Sequence, residues 1–88
     1  MQNYAVFVDD MKDASQPFQI AIALFHRRGG CSAMGARRYT SKADLAVDLK
    51  LRLKLPDAVV EKYLATPDLH EVVTDLPLSD EVVAYLGS

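Results

Sequence analysis

Apolar and polar side chains trade places one for one near the start of the chain. Tyr4, Val6 and Val8 share one side of a strand over Tyr4–Val8, with Ala5 and Phe7 on the other, the two-residue period of an extended chain. Phe18–His26 repeats the pattern more strongly. Phe18, Ile20, Ile22 and Leu24 fall on one face and Gln19, Ala21, Ala23 and Phe25 on the other. Asp9 to Pro17 between them is polar and ends in Gln16-Pro17, which reads as a loop. Arg28-Gly29-Gly30-Cys31 then marks a hairpin, because adjacent glycines accept the positive φ angles of tight turns. A third strand, Ser32–Tyr39, is interrupted by Gly35, the mark of a bulge or a close backbone approach. The expectation is a three-stranded antiparallel β-meander.

From Thr40 the pattern turns helical. Ser41 is placed to cap a first turn, and Asp44, three residues on, suits the positive end of a helix dipole. Val47, Leu49, Leu51, Leu53 and Leu55 nevertheless alternate with Asp48, Lys50, Arg52 and Lys54, as a strand would. Leu, Lys and Arg favour helices, and only Val47 is β-branched. The segment Lys42 to about Leu53 is therefore read as helix, with a strand over Val47–Leu55 as the alternative. Pro56-Asp57 opens a second helix through Ala65, and Thr66-Pro67-Asp68 repeats the device for a short helix Asp68–Thr74. Ser79-Asp80-Glu81 starts a last one over Asp80–Leu86, stopped by Gly87. The fold class that follows is α+β: the meander packed against helices, with a short-helix C-terminal tail, in a single domain over residues 1–88.

Composition narrows the function classes. Half of the 88 residues are hydrophobic and a quarter charged, a globular balance. One cysteine, Cys31, excludes an internal disulfide and fits a reducing compartment. The longest apolar run, Ile20–Phe25, falls far short of the roughly 20 residues that cross a bilayer. A cytoplasmic protein with no membrane partner is expected. Net charge is only −2 but unevenly spread. Residues 1–25 carry −2, residues 26–54 carry eight bases against two acids, and residues 55–88 carry seven acids against Lys62. Either the basic middle and acidic tail neutralise one another, or the middle forms a patch for an acidic protein or nucleic acid.

Catalytic chemistry has little to work with. His26 and Cys31 flank the Gly-Gly turn but lack any local nucleophile signature, and His70 stands beside Glu71 without ligands at metal spacing. Asp9, Asp10 and Asp13 do not follow a calcium-loop spacing, and the glycines lack a phosphate-loop pattern. No catalytic residue, metal site or cofactor is expected, and an enzyme is the least favoured class. The residues of interest are basic. Arg27 and Arg28 leave the second strand, Arg37 and Arg38 end the third beside Tyr39, and a hairpin brings the two pairs to one sheet surface unless they pair with tail acids such as Glu71 or Asp75.

The segment Met34-Gly35-Ala36-Arg37-Arg38-Tyr39-Thr40-Ser41-Lys42-Ala43-Asp44-Leu45, with Tyr4-Ala5-Val6-Phe7-Val8 before it, resembles small phage-encoded type I anti-CRISPR inhibitors. The resemblance spans Tyr4 to Leu49. It implies a non-enzymatic inhibitor that docks on a CRISPR surveillance complex through aromatic and polar residues of its sheet. A tyrosine of that surface corresponds to Phe7 here, which has no hydroxyl to offer, and the helical tail is a second departure. The reading is a protein-binding module using Phe7, Arg27, Arg28, Arg37, Arg38 and Tyr39. Its alternative is a small nucleic-acid-binding regulator using the basic hairpin. The oligomeric state is open; a dimer through the alternating face of Val47, Leu49, Leu51 and Leu53 is a third hypothesis.

Overall fold

Alternation decides the centre of the molecule. In the computed structural model, which describes residues 2–87, the strand Phe18–Phe25 (β2) turns Phe18, Ile20 and Ile22 into the core. It lies between Gln2–Asp10 (β1), which contributes Tyr4, Val6 and Val8, and Cys31–Tyr39 (β3), which contributes Tyr39. Both pairings are antiparallel, with Val6 opposite Ile22 and Phe18 opposite Tyr39. Gly29 and Gly30 adopt φ of 93° and 80° in the turn that joins β2 to β3. The expected meander is therefore present, with β1 running two residues past Val8 into the segment read as a loop.

The chain then crosses one face of the sheet in two helices, Lys42–Leu51 (α1) and Asp57–Ala65 (α2). The Ser41 hydroxyl accepts a hydrogen bond from the Asp44 amide at 3.1 Å, so the cap predicted from sequence is made. Helix also wins over the alternating pattern. Leu45, Asp48 and Leu49 are buried at helical spacing, whereas Val47 and Leu51 point outward. Leu49 and Leu53 sit in the core, so the four-residue oligomerisation face drawn from the alternation does not exist.

One element differs in kind. The segment expected as a helix over Asp68–Thr74 instead forms a fourth strand, His70–Leu78 (β4), antiparallel to β1. Val72, Val73 and Thr74 are consecutive β-branched residues, which lose side-chain freedom in a helix, and Pro77 is tolerated on the outside of an edge strand. Asp68 takes φ of 52°, a left-handed turn conformation and not a helix start. The Asp10 amide donates to the Leu69 carbonyl at 2.7 Å and leads the chain into register. The result is a four-stranded antiparallel sheet, order β3-β2-β1-β4, with three helices.

The last helix, Asp80–Leu86 (α3), is capped by Ser79 and buries Leu86. It ends against the bulge in β3. A Cβ on Gly35, whose φ is 141°, would stand 2.4 Å from the Gly87 Cα. That is the close backbone approach the interrupting glycine implied. All three helices feed one core with the inward face of the sheet: Leu45, Leu49, Val60, Tyr63 and Leu86 join Tyr4, Val6, Val8, Ile20 and Ile22.

Candidate functional site

The six residues singled out from sequence divide among three places. Strand register puts Arg37 and Tyr39 on the helix-covered face, opposite Ile20 and Phe18, and puts Arg38 on the other face opposite Gln19. Phe7, opposite Ala21, shares that second face. Arg27 and Arg28 lie exposed at the hairpin tip and make no ion pair among the described residues. The four arginines thus do not form one surface. The acids that hold two of them are also not the predicted tail acids. Arg38 donates from Nε and a terminal nitrogen to the Gln16 carbonyl at 3.0 and 2.7 Å and reaches Asp13 at 3.5 Å. Arg37 turns to Asp48.

Asp48 is the centre of the covered side's polar chemistry, and sequence reading missed it. It is 5% exposed on α1, at a position where Leu45 and Leu49 are core residues. An acid in that helical stripe was the available signal. The Tyr39 hydroxyl donates to it at 2.5 Å and the Tyr85 hydroxyl at 3.1 Å. The Nε atoms of Arg37 and Arg52 stand 3.9 Å from its two oxygens, and both guanidiniums lie over the Tyr85 ring at 4.3 and 4.1 Å, within cation–π range. Burial, then the bond to Asp48, hold the Tyr39 phenol well above the ordinary tyrosine pKa. Tyr39 is therefore a buried anchor joining β3 to α1. A buried carboxylate whose lone pairs meet two phenols and two cations is a satisfied structural knot.

The other face of the sheet is different. Among the described residues no helix covers it, and its residues fall in cross-strand rows. Val72, Phe7, Ala21 and Ala36 form one row from β4 to β3, followed by Ala23 and Ala33 with Ala5 beside them. Phe25 is 58% exposed and Val72 43%, and Ala33 and Ala36 are open as well. At one end the apolar area gives way to a polar row of His70, Asp9, Gln19 and Arg38. In it, His70 Nδ1 is hydrogen-bonded to the Asp9 carboxylate. One acid and one arginine leave that row close to neutral. Sequence reading placed Phe7 and Phe25 on these sides of their strands but singled out only Phe7, and it missed Val72 because the placement of Val72 requires β4.

The remaining polar groups act locally. His26 Nε2 meets the Ser32 hydroxyl at 2.7 Å across the hairpin, and Cys31 is exposed and free. Asp13 accepts from the Gln16 and Ser15 amides and the Ser15 hydroxyl, which lower its pKa to about 2. Lys12 donates to Asp68; that bond raises the lysine pKa and lowers that of the acid. Among the described residues, no three His, Cys, Asp or Glu side chains converge as metal ligands, and no helix is long and apolar enough to cross a membrane. No protein-family model matches the chain, and neither the curated proteins nor the solved structures include a match to it.

Proposed function

We propose that this chain is a non-enzymatic protein-binding module whose contact surface is the uncovered face of the sheet. One observation carries the reading: the same four strands are covered by helices on one side, while on the other Phe25 and Val72 are exposed to solvent beside a half-buried Phe7 and the open Ala33 and Ala36. An apolar area rimmed by polar groups is the usual composition of a protein contact. The near-neutral polar row favours protein over nucleic acid, whose phosphates demand several cations. The finer proposal, taken from the sequence resemblance, is that the partner is a CRISPR surveillance complex, with Phe7 at the contact.

Photo-crosslinking tests the module directly. A benzoylphenylalanine at position 25 should yield a protein adduct, and the same probe in place of Lys62, exposed on α2, should not. Adducts from position 62 alone would defeat the reading. For the finer proposal, expression in cells with a type I CRISPR system should relieve interference, and Phe7→Asp should abolish the relief; unaltered interference would remove this partner. A second reading, the nucleic-acid-binding regulator, draws on Arg27 and Arg28 standing at the hairpin tip without ion pairs among the described residues. It requires RNA or DNA affinity that falls steeply with salt, and no binding at low salt would dispose of it.

A further inference from the structure

The order of side-chain sizes across the open face names an occupant. Read from β4 to β3, the central row runs Val72, Phe7, Ala21, Ala36: two larger side chains, then two small ones. The polar row beside it runs His70, Asp9, Gln19, Arg38, with its acid on the β1 side and its arginine on β3. The central row changes into its complement when reversed, large against small. A two-fold axis parallel to the strands, between β1 and β2, performs that reversal. It lays β1 over the β2 of a second molecule and β4 over its β3.

We propose that a second copy of this chain closes the open sheet face, in a two-fold dimer with the sheets packed face to face and their strands aligned. The inference rests on the preceding reading that this face is a protein contact. In the dimer, Phe7 settles over Ala21 of the copy and Val72 over Ala36 of the copy, and each contact occurs twice. Stacked sheets lie about 10 Å apart, so large over small is the arrangement that fills the gap. Arg38 comes over His70 of the copy, with Asp9 of the copy one strand, about 4.8 Å, to the side. Aligned sheet packing at about 30° is an ordinary geometry for antiparallel sheets.

Size sets the strength. Four strands about 4.8 Å apart, with some seven residues of each in contact at about 3.4 Å per residue, offer roughly 450 Å² per copy. The pair then buries about 900 Å², below the roughly 1,200–2,000 Å² of stable specific complexes. The dimer is therefore weak and concentration-dependent.

Sedimentation velocity on purified chains tests both the dimer and its register. Wild type should be mostly dimer at about 500 µM and mostly monomer at about 5 µM, as a dissociation constant of about 50 µM requires. Val72→Asp and Ala36→Lys each leave a buried charge unpaired and should weaken self-association at least about tenfold. Mixed one to one, they pair Asp with Lys across the two-fold and should recover a heterodimer. Both sites are exposed, so neither variant threatens the fold; Phe7→Asp with Ala21→Lys forms a second such pair nearer the axis. A wild-type monomer at about 500 µM, single variants that associate like wild type, or a mixture that stays monomeric would each overturn the proposal. Were wild type monomeric while the probe at position 25 still captured a foreign protein, the self-association would fall and the contact face would stand. Loss of that adduct as well would remove both.

Discussion

The two faces of one sheet follow opposite rules here. On the covered face the one buried charged side chain among the described residues, Asp48, is met by Tyr39, Tyr85, Arg37 and Arg52. On the open face large apolar side chains are left to solvent and the polar residues pair at one end of the surface. The same backbone supplies both, because neighbours along a strand point to opposite sides. Arg37 and Arg38 make the contrast within two residues, one over the ring of Tyr85 and the other against the Gln16 carbonyl. Adjacency in sequence therefore says little about shared function in a strand. Parity says more.

The comparison breaks most visibly at Asp48. Asp48→Ala takes the acceptor from the Tyr39 and Tyr85 hydroxyls, at about 1–3 kcal/mol each, while Arg37 and the exposed Arg52 turn to water, so about 2–5 kcal/mol of stability should be lost, read by urea denaturation. A domain of this size holds only about 4–13 kcal/mol in total, so the variant should stand near the edge of folding. A loss within about 0.5 kcal/mol would mean that the knot is ornamental.

Tyr39→Phe keeps the ring and removes one donor, and should cost about 1.5–3 kcal/mol, since the acceptor is a carboxylate. Its raised pKa also fixes a sign. The unfolded chain ionises Tyr39 near pH 10 while the folded chain holds the proton, so the contribution is complete below about pH 10 and declines above it. Absorbance titration at alkaline pH should show one tyrosine ionising only as the fold is lost; full ionisation with the fold intact would contradict the buried hydrogen bond.

On the open face the expected signs reverse. Phe25→Ser and Val72→Ser should change stability by no more than about 0.5 kcal/mol, yet should weaken protein binding. Thermal melts and crosslinking yields read the two effects separately. A large loss of stability would make this face part of the core.

The smallest effect is confined to acid. Asp13 has its pKa lowered to about 2 by the Gln16 and Ser15 amides. Its contribution is present above the ordinary carboxylate range near pH 4 and is lost as pH falls through about 2. In melts between pH 5 and pH 2, Asp13→Ala should show a shallower acid decline than wild type, and identical slopes would exclude the turn as a source of stability.

Much of this was legible in the chain. The period-two runs gave β1 to β3 their inward faces, the Gly29-Gly30 pair gave the hairpin, and Ser41 gave α1 its start. These are local signals, each read within a few residues. β4 was not legible, because Thr66-Pro67-Asp68 imitates a helix cap and the reason for a strand, the vacant edge of β1, lies some sixty residues away. The geometry of the candidate surface was hidden at the same joint. Tyr39 looked like an exposed aromatic beside two arginines; its partner Asp48 was concealed by a leucine alternation that fits a strand, although the segment folds as a helix. Without β4, Val72 had no place beside Phe7, and the open face lacked half its apolar row.

Alanine methyl spectroscopy tests the central claim directly, because the chain places its alanines on both sides of the comparison. Ala5, Ala21, Ala23, Ala33 and Ala36 belong to the open face, and Ala43, Ala46, Ala58, Ala65 and Ala84 to the helices. As concentration rises or a protein partner is added, the sheet methyls should shift together while the helix methyls stay still. Shifts confined to the helix methyls would contradict the account and move the contact to the opposite side of the molecule.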